Sequence, residues 1–188
     1  MSKVLVVNSS YRKNSNSSAL GLRVAAGAVA AGKQVEVIDI GHLRIDPCRG
    51  CDACRRKPEN FCVIKDDMQQ LYARLLDAAT LVFVGPVYWF NMNGQMKQFI
   101  DRLYAISSSL EPDGPSRLAD KKIGAAFAYE GDDPMDSGCV NAIRCFQDIC
   151  AYTGAKWLGA VYGSAWAEGD ILNNTEVLIQ AEAFGKNI

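Results

Sequence analysis

The chain has 188 residues, 49% of them hydrophobic and 22% charged, which suits one domain spanning residues 1–188 with a three-layer core. Its 20 Lys and Arg against 21 Asp and Glu give a formal charge of −1, and the absence of any basic stripe argues against nucleic acid as a partner. No apolar run approaches the roughly 18–20 residues that cross a bilayer, and VLVVN after Lys3 is too short for a signal-peptide core, so no membrane and a cytoplasmic setting are expected.

In chain order, KVLVVN (3–8) predicts a first strand, followed by the loop NSSYRKNSNSSAL (8–20) and a helix. QVEVID (34–39) is the second strand. A long connection from about 40 to 65 holds four of the seven cysteines. Asp66, with Gln69 three positions on, reads as the N-cap of an amphipathic helix carrying Met68, Leu71, Tyr72, Leu75, Leu76 and Ala79. TLVFVG (80–85) is the third strand, ended by Pro86, and Met96, Phe99, Ile100 and Leu103 stripe the next helix. After a second long connection, about 106–120 and rich in Ser, Pro and Gly, KIGAAFAY (122–129) forms the fourth strand. Cys139, Ile143, Phe146 and Cys150 mark a helix, KWLGAVYG (156–163) the fifth strand, and Val177, Ala181 and Phe184 a last helix ending at Gly185. Apolar strands alternating with helices imply a parallel sheet covered on both faces. The expected fold is therefore α/β, a doubly wound five-stranded sheet in the flavodoxin-like order 2-1-3-4-5 within a three-layer sandwich.

The loop after strand one is the first chemical feature. A helix N-terminus offers free N–H groups and a positive dipole end to a phosphate. Here Ser9, Ser10, Ser15 and Ser17 add hydroxyls, Asn16 an amide and Arg12 a fixed charge. No G-x-G-x-x-G follows the strand, so a single terminal phosphate, as on FMN, suits this loop better than a pyrophosphate. The plainer alternative, Asn16 or Ser17 merely capping the helix, needs neither an arginine nor four hydroxyls. GAVAAGKQ (27–34) nearly matches a nucleotide-triphosphate loop, but it ends in Gln34 and precedes a strand, so that function is rejected.

The second feature is GPVYWFNMNGQMKQFIDRL (85–103), at the carboxyl end of a central strand, where open α/β sheets bind ligands. Pro86, Val87, Tyr88, Trp89, Phe90 and Asn91 combine flat faces with backbone polar groups, as an isoalloxazine ring requires. Three successive aromatics at a loop cannot all enter one core. Lys97 and Asp101, four apart, read as a surface pair rather than a catalytic one.

Ser10-x-Arg12-x-x-Ser15-Asn16-Ser17 together with PVYWF and GQMKQFIDR resembles the flavodoxin-like NAD(P)H-dependent FMN reductases and quinone reductases over nearly the whole chain. The resemblance implies an FMN with its phosphate in the 10–17 loop and its ring along 86–91, and it places Gly131 near the far side of the ring. It implies NAD(P)H as co-substrate and a homodimer or homotetramer.

Four cysteines in CRGCDACRRKPENFC (48–62) point, in a reducing compartment, to metal or redox chemistry rather than disulfides. Cys48, Cys51, Cys54 and Cys62 resemble the ligand set of the iron–sulfur flavoproteins, which implies a [4Fe–4S] cluster exchanging electrons with FMN across a subunit contact. Arg49, Arg55, Arg56 and Lys57 would offset such a cluster's negative charge. Free thiols and zinc stand beside this reading. Cys139 and Cys150 read as core residues and Cys145 as pointing elsewhere. The expected function is a flavin oxidoreductase passing electrons from NAD(P)H or a reduced carrier to a quinone, flavin, or other small-molecule or protein acceptor. The alternatives are an iron–sulfur electron carrier and a non-catalytic zinc-binding module.

Overall fold

The computed structural model describes residues 2–111 and 113–188; Met1 and Pro112, which fall in the expected domain and the second long connection, lie outside the described residues. Six strands form one sheet: β1 (Lys3–Asn8), β2 (Gln34–Asp39), β3 (Thr80–Tyr88), β4 (Asn91–Met92), β5 (Lys122–Tyr129) and β6 (Lys156–Ser164). The order is β2-β1-β3-β5-β6, with β4 paired to β3 off this path. Apart from β4 the neighbours are parallel and follow the expected flavodoxin-like order. Val6 of β1 sits opposite Val37 on one side and Val82 on the other.

The strands read as continuous apolar runs because both faces are covered. Leu5, Val7, Leu81, Phe83, Ala125 and Phe127 face a core shared with α3 (Met68–Asp77), α4 (Gly94–Arg102) and α5 (Cys139–Thr153). The alternate residues Val4, Val6, Val82, Val84, Ala126 and Ala128 face α1 (Asn16–Ala30) and α6 (Thr175–Lys186). A four-residue helix, α2 (Ala53–Arg56), lies within the cysteine-rich loop. Cys139 and Cys150 are buried core residues whose thiols burial pushes up to about 12 and about 11, so both stay protonated at neutral pH.

Three local expectations are corrected. Helix α6 runs through Gly185 to Lys186, because Gly185 serves helix contact rather than termination: a Cβ there would lie 2.0 Å from the Val24 carbonyl oxygen. Gly27 meets Glu182 in the same way across the α1–α6 crossing. Strand β3 runs through Pro86 to Tyr88. Its pairing with β1 ends at Val84, so a missing N–H beyond that point costs no ladder bond on that side. The capping box at Asp66 does not form. Asp66 Oδ1 does accept from Met68 N at 3.1 Å, but Gln69 Nε2 donates to the carbonyls of Cys62 and Ile64 at 2.7 and 2.6 Å instead of returning to the cap. None of the described helices is long and apolar enough to cross a membrane.

Candidate functional site

Strands β1, β3 and β5 end along one edge of the sheet, and the loop after β1 is organised there by its own side chains. Ser9 is fully buried and donates to Asn93 Oδ1 at 2.7 Å, while Asn93 Nδ2 donates to the Ser9 carbonyl at 2.8 Å. This pair fastens the loop to the start of α4. Ser15, not Asn16 or Ser17, is the N-cap of α1, accepting from Ser18 N at 3.4 Å and sharing a 2.8 Å hydrogen bond with the Ser17 hydroxyl. Asn16 turns away to clamp a later segment: its Nδ2 donates to the Ala167 carbonyl at 2.8 Å and its Oδ1 accepts from Ile171 N at 3.1 Å. Arg12 is exposed and, among the described residues, forms no ion pair. Its charge is free for an anion.

At the end of β3 the chain reverses in two residues, since Tyr88 pairs with Asn91 and Val87 with Met92. The two loop residues, Trp89 and Phe90, have φ of 50° and 66°, the left-handed pair that a primed two-residue hairpin demands. Asn-Gly ordinarily fills such a turn, and bulky aromatics there are strained. The N-terminus of α5 holds it in place. Asn141 Nδ2 donates to the Phe90 carbonyl at 3.0 Å, and Gly138, at φ 77°, lies so close that a Cβ would stand 2.3 Å from that oxygen. Trp89 is 93% exposed, so the strain yields no core packing.

The two segments meet in one cleft. A cavity of about 150 Å³ is lined by Ser10, Arg12, Ser15, Asn16 and Ser17 from the first loop, by Pro86, Val87 and Tyr88 from β3, and by Tyr129, Glu130, Ala165, Trp166 and Glu168. A second cavity of about 820 Å³ adjoins it, sharing Val87, Tyr88 and Glu130 and continuing past Trp89, Phe90 and Gly131. Asn91 departs from this grouping. Because β4 turns back, Asn91 lies on a separate groove with Cys48, Tyr104, Cys145 and Tyr152, between α4 and α5. The segment 165–168 was not legible in the sequence as part of the site; its signal was Trp166 just after the last strand. Tyr129 is held above the usual phenol range by burial, reinforced by Cys139, Tyr162, Asp133 and Asp132.

The family described as having a flavodoxin-like fold matches residues 2–183. The chain belongs to it. A Bacillus subtilis relative, YwqN, whose name describes an NAD(P)H-dependent FMN-containing oxidoreductase, is 29% identical over 182 residues, covering 95% of this chain and 94% of its own. An iron–sulfur flavoprotein of Methanosarcina thermophila is 31% identical over 129 residues, covering 69% of this chain and 63% of its own. Among solved structures, the Trp repressor binding protein from Bacillus subtilis superposes with a TM-score of 0.69 at 26% identity, over 96% of this chain and 98% of that one.

In this flavodoxin-like chain the cysteine loop is pinched at its neck. Arg44 N donates to Asp67 Oδ2 at 2.8 Å, Asp67 N to the Arg44 carbonyl at 3.1 Å, and Asp46 N to Asp66 Oδ2 at 2.8 Å. The fully buried Arg102, at the end of α4, locks this neck. Its two terminal nitrogens reach Asp66 at 2.5 and 3.1 Å, and one of them also donates to the Asp46 carbonyl at 2.8 Å. Burial alone would raise the Asp66 carboxyl, but Arg102 and the N–H groups of Asp46 and Met68 outweigh it and hold the group below the ordinary value of 3.8.

Beyond the neck the cysteines differ in burial. Cys48 and Cys51 are exposed, Cys54 is buried in the core, and Cys62 is partly buried. Burial, then the neighbouring Cys62, raises the Cys54 thiol. Arg55 stacks 4.7 Å over Tyr104 and Arg56 donates to the Cys51 carbonyl at 3.2 Å, so these cations already have partners. Among the described residues no three Cys, His, Asp or Glu side chains gather around a point that would hold a metal ion. As placed, the four thiols do not converge on a single ion at the Zn–S distance of about 2.3 Å that a zinc site needs, and the arrangement shows no [4Fe–4S] cluster, which would take each thiolate on a different iron.

Proposed function

We propose that the chain is an FMN-dependent oxidoreductase taking electrons from NAD(P)H or a reduced carrier and passing them to a quinone, free flavin or another acceptor. One observation carries the reading: the serine–arginine loop and the strained aromatic turn, 70 or so residues apart, line adjoining cavities at the carboxyl edge of the sheet. Ser10, Ser15 and Ser17 supply hydroxyls and Arg12 an exposed positive charge for a terminal phosphate. Pro86 to Phe90 and Gly131 line a space for a planar ring, with Tyr88, Trp89 and Phe90 offering stacking faces. The name borne by YwqN agrees with this assignment.

When bound, FMN supplies the hydride and electron chemistry, so the protein needs no nucleophile or general base of its own. The single histidine accords with this, since His42 packs edge-on against Tyr11 with ring centroids 6.0 Å apart and lines neither cavity. Lys97 and Asp101 pair on the surface of α4 at 2.5 Å, away from the cleft. A cytoplasmic setting and a homodimer or homotetramer that completes the ring site go with the reading. No step is assigned to the cysteine loop, because its thiols do not converge.

Titration of the purified protein with FMN, followed anaerobically by NADH and by NADPH, tests the proposal. Quenched flavin fluorescence and bleaching of the flavin band by a nicotinamide nucleotide are expected. A protein that binds no FMN but carries stoichiometric zinc would overturn it in favour of a non-catalytic module. Iron and sulfide assay of anaerobically purified protein decides the iron–sulfur alternative.

A further inference from the structure

The cavity at the first loop carries one cation and two carboxylates, Arg12 against Glu130 and Glu168. That balance is unexpected for a place offered to a phosphate, and one of the carboxylates touches the loop itself. Glu168 Oε1 accepts from Asn14 N at 3.3 Å. Asn14 directly precedes Ser15, the N-cap of α1, so the N–H that Glu168 takes belongs to the turn where free donors and a positive helix end favour an anion. Among the described residues Glu168 forms no ion pair. The backbone that carries it is fixed on both sides: Ala165 N donates to the Tyr129 carbonyl at 2.9 Å, Asn16 clamps Ala167 and Ile171, and Ile171 is fully buried. Glu168 itself is exposed. Its carboxylate can therefore leave the loop by rotation of its own side chain, with no movement of the segment.

We propose that Glu168 competes with the phosphate of the flavin for the first loop, and so sets how strongly the protein prefers FMN to riboflavin; the assignment rests on the flavin reading of the cleft. A carboxylate and a phosphate seek the same N–H donor, and at short range they repel each other. The phosphate reaches the Asn14 N–H only when the carboxylate swings into water. Riboflavin brings the same ring and side chain without the phosphate, so it meets no such competition. The cost falls on FMN alone and narrows the gap between the two ligands. Glu130 shares the cavity but makes no contact with the loop, so it acts on the phosphate only as a charge seen through solvent. Glu168 is thus a specificity-determining residue, and its influence depends on a contact rather than on the general charge of the cleft.

Fluorescence titration of the flavin-free protein with FMN and with riboflavin gives the ratio of the two affinities. Glu168→Gln removes the charge and keeps the shape, and the ratio is expected to rise about tenfold through tighter FMN binding, with riboflavin affinity and the melting temperature of the flavin-free protein unchanged. Glu168→Ala removes the contact as well and should raise the ratio at least as far. Glu130→Gln is expected to change it by about threefold or less, since solvent screens a charge that makes no contact. Inorganic phosphate should displace FMN but not riboflavin, and should do so at lower concentration in Glu168→Gln than in the parent. A ratio unchanged in both Glu168 variants, an equal change in Glu130→Gln, or a gain shared equally by riboflavin overturns the proposal. If FMN binds and the ratio does not move, this inference falls alone; if neither flavin binds, the flavin reading falls and the role of Glu168 with it.

Discussion

Two loops leave the carboxyl edge of the same sheet, one after β1 and one after β2, and they are held in opposite ways. The β1–α1 loop is pinned along its length by its own polar side chains: Ser9 to Asn93, Ser15 to Ser17 and Ser18, Asn16 to the 167–171 segment. Its hydroxyls end up ordered around a small cavity. The cysteine loop is held mainly by residues outside it: Asp66, Asp67 and the buried Arg102 close its neck, Gln69 takes the Cys62 and Ile64 carbonyls, Tyr72 stacks on Phe61 and Tyr104 lies under Arg55. A loop ordered by its own polar groups presents a ligand site at little further cost, whereas a loop fastened from outside has its conformation set by its neighbours.

The sharpest way to break this contrast is to release the neck. Arg102→Met leaves Asp66 buried without its cation, and a loss of about 3–5 kcal/mol is expected. Denaturant unfolding measures it, and FMN affinity measured well below the transition should change far less than stability. Next is the charge on the other loop. Arg12→Ala removes one charge-assisted contact to phosphate, worth about 1.5–3 kcal/mol, so FMN affinity should fall roughly 10- to 100-fold with the melting temperature of the flavin-free protein unchanged. Flavin fluorescence quenching reads this directly, and an unaltered affinity would move the phosphate away from residues 10–17.

A smaller effect of opposite sign is expected at the aromatic turn. Trp89→Asn with Phe90→Gly supplies the residues that positive φ favours and should stabilise the fold by about 1–2 kcal/mol. Ring binding should weaken in the same variant, a trade of function for stability. The smallest expected effect lies in acid. Because the Asp66 carboxyl is held below 3.8, the stability it contributes is present above the ordinary carboxylate range and is lost as pH falls through the depressed value. In Arg102→Met burial is opposed only by the N–H groups of Asp46 and Met68, so that carboxyl rises relative to the parent and the gap in melting temperature between variant and parent should narrow from pH 7 towards pH 4 or so. A gap independent of pH would assign the loss to packing rather than charge.

Much of this was written in the pattern of residues. The five long strands, their order and the helices between them follow from apolar runs alternating with amphipathic stretches, because a parallel sheet buries both faces. The serine–arginine loop and the PVYWF segment stand out for the same local reason, since neither composition serves a core. Arg102 is different. Its spacing placed it merely at the end of a helix, and its role depends on the Asp66 carboxylate, 36 residues earlier, and the Asp46 carbonyl, which the fold brings to its guanidinium. The β4 reversal was hidden because Trp-Phe is not a turn sequence; only the backing of Gly138 and Asn141 makes that strained hairpin affordable.

The sequence by itself therefore determined the layers, the strand order and the two segments that line the cleft, all of which rest on periodicity and local chemistry. Tertiary structure alone decided that Ser15 is the cap, that Asn16 is a clamp, that Asn91 faces the other groove and that Glu168 reaches Asn14 of the first loop. It also decided that, among the described residues, the cysteines of the loop do not gather around a single metal ion. The reason is the same in each case: a side chain's direction is set by the backbone that carries it and by the partners packed around it, and those partners come from distant parts of the chain.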